Sequence, residues 1–482
     1  MRSGLIYFFG ALGGFLFGYS TGIISGALHY IGNDLAIVEN SFQEGVITSA
    51  ILVGAIFGSV IIGKLSDSLG RRKSLFIGSL IFIVGSIASA LSPSVPVLVL
   101  SRIILGFAVG AISALVPLYL SELAPAKKRG TIAFLNQIMI VLGILGAYIV
   151  NYLLATLGSD DWNTATGWRV SFAIAIVPAV LLFFGIFILP ESPRFLIRTG
   201  NESKANDVLL KLNVSSSDVS KELEDIKSSI SVRTSSFKEV FSKFARPALV
   251  IGVGLAFFQQ VIGVNSIIYY GPKLLEVSGL DNQDQRLSIV LIGVVNVIAT
   301  IVAISIVDRI NRKTLFTVGG IVMALCLFAL AIFGNLVYAE SNPTVSVVVV
   351  PIILMIYIFA FGVTWGGAMW VVLGEIFPLH IRGAGIGIAS GVNWVLNFAI
   401  TLLFPFLLGH GLDANECIKE EPPSLVAACE KVTMLGGNPF WLFIAMGAFA
   451  VLGVLFVQFK LFETRGKSLE DIESEIYRRR SK

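Results

Sequence analysis

The chain has 482 residues, of which 55% are hydrophobic and 14% charged, with a mean hydropathy of +0.85 and a formal net charge of +4. A soluble protein of this length carries about a quarter charged residues, so the composition argues against cytoplasmic globular and secreted proteins. So small a net charge gives a nucleic-acid partner no support.

The charges fall between apolar runs near the roughly 20 residues that cross a bilayer. The first run, 5–30, is too long for a signal-peptide core and is followed by no convincing cleavage site, so it reads as span 1. It carries Gly10, Gly14, Gly18, Gly22 and Gly26, a small-residue face that lets another helix approach to backbone contact. Further spans are expected at 43–63, 73–91, 96–120, 130–155 and 168–189. Gly54 and Gly58 in span 2, and Gly106 and Gly110 in span 4, repeat the small-residue spacing. A polar stretch, 201–244, reads as short amphipathic helices rather than a domain. Six more spans follow at 246–277, 286–307, 314–338, 345–373, 383–410 and 439–461. Gly263 in span 7 and Gly366-Gly367 in span 10 mark places where a helix can unwind.

Lys and Arg collect in alternate connections: Lys64, Arg71, Arg72 and Lys73; Lys127, Lys128 and Arg129; Arg309, Arg312 and Lys313; Arg382; and Arg478 to Arg480. Acids occupy the others, including Asp34, Asp160, Asp161, Glu416 and Glu420. The positive-inside rule then places both termini in the cytoplasm. Cys326 lies in an apolar run and reads as a small hydrophobe, while Cys417 and Cys429 share one polar connection. A disulfide between those two and a pair of free thiols both stay open.

The chain repeats itself. The stretch Gly63 to Lys73 is echoed by Val307 to Lys313, Glu122 to Gly130 by Glu375 to Gly383, and Pro190 to Arg194 more weakly by Phe462 to Gly466. The expected organisation is all-α: a six-helix half over 1–199, a cytoplasmic helical linker over 200–244, a second half over 245–462 and a tail over 463–482. Parallel repeats of this kind place a substrate site between them near mid-membrane.

Uncharged amides carry the chemistry: Gln137 in span 5, Gln259, Gln260 and Asn265 in span 7, Asn296 in span 8, and Asn393 and Asn397 in span 11. In hydrocarbon these groups must face each other, water or a ligand. Interhelical bonding alone is the plain alternative for any one of them. Trp370, Trp394, Tyr269 and Tyr270 accompany them. Amides donate to and accept from hydroxyls, and flat rings receive C–H faces, so the set suits a neutral polyol better than an ion. No carboxylate lies deep in a span; Ser20 stands where an acid could, and Arg102 lies at similar depth. Proton coupling therefore lacks an evident carrier. Asp67, Arg71, Arg72, Glu122, Arg129, Arg312, Glu375 and Arg382 sit at cytoplasmic helix ends, where ion pairs can latch the halves or merely set topology.

Together these motifs resemble the sugar porter family of the major facilitator superfamily over essentially the whole chain. The resemblance implies the major facilitator fold, twelve helices in two six-helix halves, and alternating access. By matched position it implies sugar contacts at Gln137, Gln259, Gln260, Asn265, Tyr270, Asn296, Gly366, Trp370, Asn393 and Trp394. The span 7 wording resembles microbial members, and Trp370 resembles aldose carriers. Proton-coupled members usually carry an acid at the place of Ser20, and some at that of Ala175; Arg102 is retained. Ser68, Gly367 and Phe462 also depart from the usual pattern.

The reading is a non-enzymatic facilitative carrier of a monosaccharide, glucose or a related aldose, in the plasma (inner) membrane. It is expected to use no cofactor or metal, to have lipid and sugar as its partners, and to work as a monomer. A proton–sugar symporter is the alternative. A non-transporting sensor would need a longer signalling tail, and a drug exporter an intramembrane acid.

Overall fold

The computed structural model describes residues 2–37, 41–124, 129–212, 237–277, 282–338, 343–378, 381–407 and 441–467, with isolated positions between 219 and 227, 280 and 472. Cys417 and Cys429, and the side chain of Arg129, lie outside the described residues.

Among the described residues, twelve helices are long and apolar enough to cross a membrane. The first six are Gly4–Asp34, Phe42–Leu69, Arg71–Ala90, Val95–Leu123, Leu135–Leu157 and Asp160–Gly185. The second six are Arg246–Glu276, Gln283–Ile306, Arg312–Phe333, Val348–Ile376, Arg382–Leu407 and Trp441–Lys460. They are called spans 1 to 12 below. Helices are the answer because hydrocarbon offers backbone N–H and C=O groups no partner outside the segment. The end where spans 2, 4, 8 and 10 finish carries the arginine motifs and is called the arginine-rich end. The other end carries Asp34, Glu44 and Asp160 and is called the acidic end.

Small residues set how closely the helices approach. A methyl on Gly18 would run into the carbonyl of Ile140, and one on Gly143 into that of Phe15, so spans 1 and 5 meet backbone to backbone. Spans 2 and 4 do the same: Gly54 and Gly58 face the carbonyls of Ile103 and Phe107, while Gly106 and Gly110 face those of Ile51 and Ala55. Without a hydrophobic drive between helices in lipid, such contact supplies the dispersion that holds the bundle.

Three spans are interrupted. Span 7 breaks between Arg246–Val261 and Val264–Val277, where Gly263 takes φ +92°. That left-handed conformation is cheap only for glycine. The Tyr357 hydroxyl donates to the Ile262 carbonyl at 3.0 Å, satisfying a group the break exposes. Span 10 carries a π-turn over Gly362–Gly366, one residue short of Gly367. Span 6 starts earlier than expected, at Asp160 rather than 168: Ser159 caps the first turn by accepting from the Trp162 N–H, and a π-turn over Asn163–Gly167 carries the helix onward. Between spans 6 and 7, the helix Glu202–Lys211 turns Ala205, Val208 and Leu209 inward.

Candidate functional site

The break in span 7 organises the amides. Gln259, buried in the last turn before it, donates through Nε2 to the Trp365 carbonyl of span 10 at 3.0 Å. Its Oε1 accepts from Asn393 Nδ2 of span 11 at 2.8 Å. Asn265 donates to Gln260 Oε1 at 2.7 Å and so ties the two sides of the break together. The Trp365 ring is fully buried, its Nε1 donating to the Phe316 carbonyl at 2.9 Å, and this fixes the carbonyl that Gln259 uses. Part of each amide pattern is therefore internal bonding, and what a ligand meets is the remainder.

The structure thus joins Gln259, Gln260, Asn265 and Asn393 around one helix break. Asn296 lies beside Gly362 at the start of the span 10 π-turn, its Oδ1 3.4 Å from where a side chain there would begin. Tyr270 is buried instead. Its hydroxyl donates to the Thr401 carbonyl at 2.8 Å and its ring stacks on Phe404 at 5.4 Å, so in this conformation it serves as packing. Asn265, Asn296, Gln137 and Trp394 are half-buried, and Trp370 is 42% exposed. No described contact joins Gln137, Gly366 or Trp370 to the span 7 group. Sequence reasoning missed Asn136, buried with its Oδ1 unpartnered against the glycine face of span 1. The available signal was an amide beside Gln137 in an apolar run; that it faces Gly14 follows only from the packing.

Ser20 and Arg102 are both buried. The Ser20 hydroxyl donates back to the Leu16 carbonyl at 2.9 Å. Arg102 is held by main-chain carbonyls, Nε to Ile47 at 2.7 Å and Nη2 to Thr48 at 3.3 Å, with its guanidinium 5.8 Å from the Phe172 ring centre. Its Nη1 has no partner. Carbonyl dipoles from span 2 do for this cation what a carboxylate would otherwise do.

The charged motifs form two matching knots at the arginine-rich end. In the first, Arg71 grips both oxygens of Glu122 at 2.8 and 2.9 Å and reaches Asp67 at 3.2 Å. Glu191 accepts from the backbone N–H of Arg71 and Arg72, capping span 3. In the second, Arg312 binds Glu375 at 3.0 Å and Asp308 at 3.2 Å, and Glu463 accepts from the N–H of Arg312 and Lys313. The capping roles of Glu191 and Glu463 went unassigned, although both lie in a repeated motif. Each knot lies within its own set of six helices. In this conformation, with the two sets parted at this end, none of these pairs bridges the halves; a latch between them belongs to the state in which this end is shut. Among the described residues the guanidinium of Arg72 meets main chain rather than a carboxylate, donating to the carbonyls of Ile186 and Phe187 that end span 6. Arg382 Nε donates to the Phe377 carbonyl at 3.1 Å.

Contacts between the two sets of six gather at the acidic end. Lys273 pairs with Glu44 at 2.5 Å; Arg286 donates to the Tyr30 hydroxyl at 2.7 Å and the Ala155 carbonyl at 3.0 Å. Tyr148 donates to the Ile268 carbonyl at 3.0 Å. Gly45 of span 2 is pressed against the Leu402 carbonyl of span 11. Five turns along, Gly63 occupies the same face of span 2, about 27 Å further on, and meets open space. Gly383, Gly387 and Gly391, on the side of span 11 that carries Trp394, also face open space. Trp394 itself lies 5.8 Å, ring to ring, from Phe17 of span 1. The two sets are thus closed together at the acidic end and parted at the arginine-rich end.

A family model described as sugar (and other) transporter matches residues 6–476. A D-xylose transporter of Levilactobacillus brevis is 43% identical over 99% of this chain and 96% of its own length. The glucose transporter GlcP of Staphylococcus epidermidis is 38% identical over 98% of this chain and 97% of its own. A solved structure of the proton:xylose symporter XylE of E. coli, bound to 6-bromo-6-deoxy-D-glucose, superposes with a TM-score of 0.78 at 31% identity, covering 98% of both chains.

Proposed function

The chain belongs to the sugar transporter family of the major facilitator superfamily, and from that premise we propose that it is a uniporter for an aldose, glucose or a relative such as xylose. The observation that carries the sugar site is the amide group at the span 7 break, where Gln259 is held by Asn393 and the Trp365 carbonyl. Bonds of this kind orient the amides in advance, so a sugar meets donors and acceptors already aimed. Gln137, Gln260, Asn265, Asn296, Trp370 and Trp394 complete the proposed lining, with Tyr270 and Gly366 behind it. The relatives that transport D-xylose and glucose support an aldose.

Transport proceeds by alternating access, with residues 1–199 and 245–462 rocking about the proposed site. The arginine-rich end is the cytoplasmic end by the positive-inside rule, which puts both termini in the cytoplasm and makes this conformation inward-facing. The carrier works as a monomer in the plasma (inner) membrane.

Uniport rests on Arg102 and Ser20. The buried guanidinium is held by the Ile47 and Thr48 carbonyls, and the neighbouring span 1 position offers a hydroxyl that takes up no proton near neutral pH. The second reading, proton symport, is favoured by the likeness to XylE, described as a proton:xylose symporter. Uptake of labelled glucose and xylose into vesicles decides between them. Equilibration without accumulation under an imposed pH gradient is expected; accumulation driven by that gradient would refute uniport.

A further inference from the structure

The two knots at the arginine-rich end match residue for residue, and this makes a difference beside them conspicuous. In the first set of helices Arg72 donates to the Ile186 carbonyl. In the second, Lys313 occupies the equivalent place and donates to the Gln458 carbonyl at 2.7 Å. With Glu191 and Glu463 capping the same two N–H groups in each set, the register between repeats is fixed. That register pairs Phe76 with Thr317, Phe183 with Leu455 and Phe187 with Phe459.

In the first set, Phe76, Phe183 and Phe187 fill the groove between spans 3 and 6, with ring centres 4.7 to 6.2 Å apart. In the second, Thr317 replaces the central ring, and a cavity of about 290 Å³ opens between spans 9 and 12. Polar and apolar groups line it together: Asn311, Lys313, Thr314, Thr317, Gln458 and Glu463, with Val318. Thr317 donates to the Lys313 carbonyl at 2.7 Å and accepts from Gln458 Nε2 at 2.6 Å, which holds the wall in place. Lys313 uses one of the three donors of its ammonium on Gln458.

The surroundings identify the occupant. Towards mid-membrane the cavity continues into an exposed apolar strip of Val318, Ile321 and Leu455. Beyond it towards the helix ends, Arg465 reaches the lining residue Asn311 at 3.5 Å, and Lys460 and Lys467, near in sequence, are exposed. The one carboxylate on its wall, Glu463, is taken up by backbone N–H groups. A ligand seated here needs an anionic head at the level of the lysines and an apolar tail along the strip.

We propose that this groove is a binding site for an anionic phospholipid, with the headgroup phosphate on Lys313 and the Thr314 hydroxyl and an acyl chain along Val318 and Leu455. The equivalent groove in the first set is closed by its three rings and takes none. The site is independent of which sugar is carried and of whether protons are coupled.

The test is native mass spectrometry of the full-length carrier in detergent with equal phosphatidylglycerol and phosphatidylcholine. One phosphatidylglycerol should be retained in about fivefold or greater preference over phosphatidylcholine, as expected for a single well-placed lysine at a membrane surface. Thr317→Phe, which rebuilds the ring found in the first set, and Lys313→Gln should each abolish that preference. Lys73→Gln, on the first set, should leave it intact. Inorganic phosphate at millimolar concentration should not displace the lipid, because it lacks the tail; displacement would overturn the assignment to a lipid. Thermal unfolding of each variant checks its folding. Should Thr317→Phe fold poorly, Lys313→Gln alone decides. Equal retention of both lipids by the native chain, or unchanged preference in a folded variant, would overturn the proposal.

Discussion

Removing the ammonium of Lys273 should unlock the acidic end. Its Nζ lies 2.5 Å from Glu44 Oε2, with the two side chains 19% and 20% exposed. At an effective dielectric of about 20 the bare attraction at that distance is about 6–7 kcal/mol. Water access and the entropy of holding two long side chains reduce the net value to about 1 kcal/mol. Lys273 and Glu44 belong to different sets of helices, so the pair exists only while this end is shut, and its whole net value biases the conformational equilibrium. Lys273→Gln should therefore move the population about fivefold towards the state open at the acidic end. Glu44→Gln should do the same, and the double variant should add little, because either single change already removes the pair. Spin labels at Asn33→Cys and Gln283→Cys, both exposed at this end, report the change as a longer distance population in a cysteine-free background. Identical distance distributions for the native pair and Lys273→Gln would show that the ion pair does not bias the equilibrium.

Other substitutions test the remaining parts. Gln259→Leu keeps the volume but strands Asn393 Nδ2 and the Trp365 carbonyl, so the half-saturating glucose concentration should rise at least tenfold, read by counterflow; unchanged affinity would remove Gln259 from the site. Gly263→Ala forces a side chain into φ +92°, at about 1–2 kcal/mol, and should lower both the unfolding temperature and transport; native stability would mean the break tolerates another conformation. Arg71→Lys loses the two-pronged grip on Glu122, and because lysine cannot reproduce that fork its transport should fall; full activity would reduce the knot to a flank. Ser20→Asp should give uptake a dependence on an imposed pH gradient, and pH behaviour identical to the native carrier would count against the coupling argument.

The spans were legible because each apolar run is bounded by charges, and Gly263 and Gly366-Gly367 marked two of the interruptions within a residue or so. The early start of span 6 was not, since Asn163–Gly167 is too polar to read as membrane helix and only the Ser159 cap and the π-turn keep it helical. Residue types at the candidate site could be named from their chemistry, yet their pairings could not. Gln259 with Asn393, and Glu44 with Lys273, join positions more than a hundred residues apart, and only the packing of whole helices selects such partners. Charges at helix ends posed the same difficulty. Glu191 and Glu463 read as solvated flanks in isolation, but an N-terminus without partners for its first N–H groups attracts a carboxylate. Composition places these residues; it does not aim them.

Span 2 rests on span 11 at Gly45 and leans away from it by Gly63, so one rigid rod serves as both wedge and lever. Tilting it to bring Gly63 against the glycine-lined stretch of span 11 must lift Gly45 off Leu402, with Phe17 and Trp394 near the pivot. A seesaw of this sort cannot be down on both sides with ease, nor up on both without losing nearly all contact. Under the proposed alternating access its two resting positions would trade one set of contacts for another, and a side chain added to Gly45 would strike the Leu402 carbonyl in the one described here.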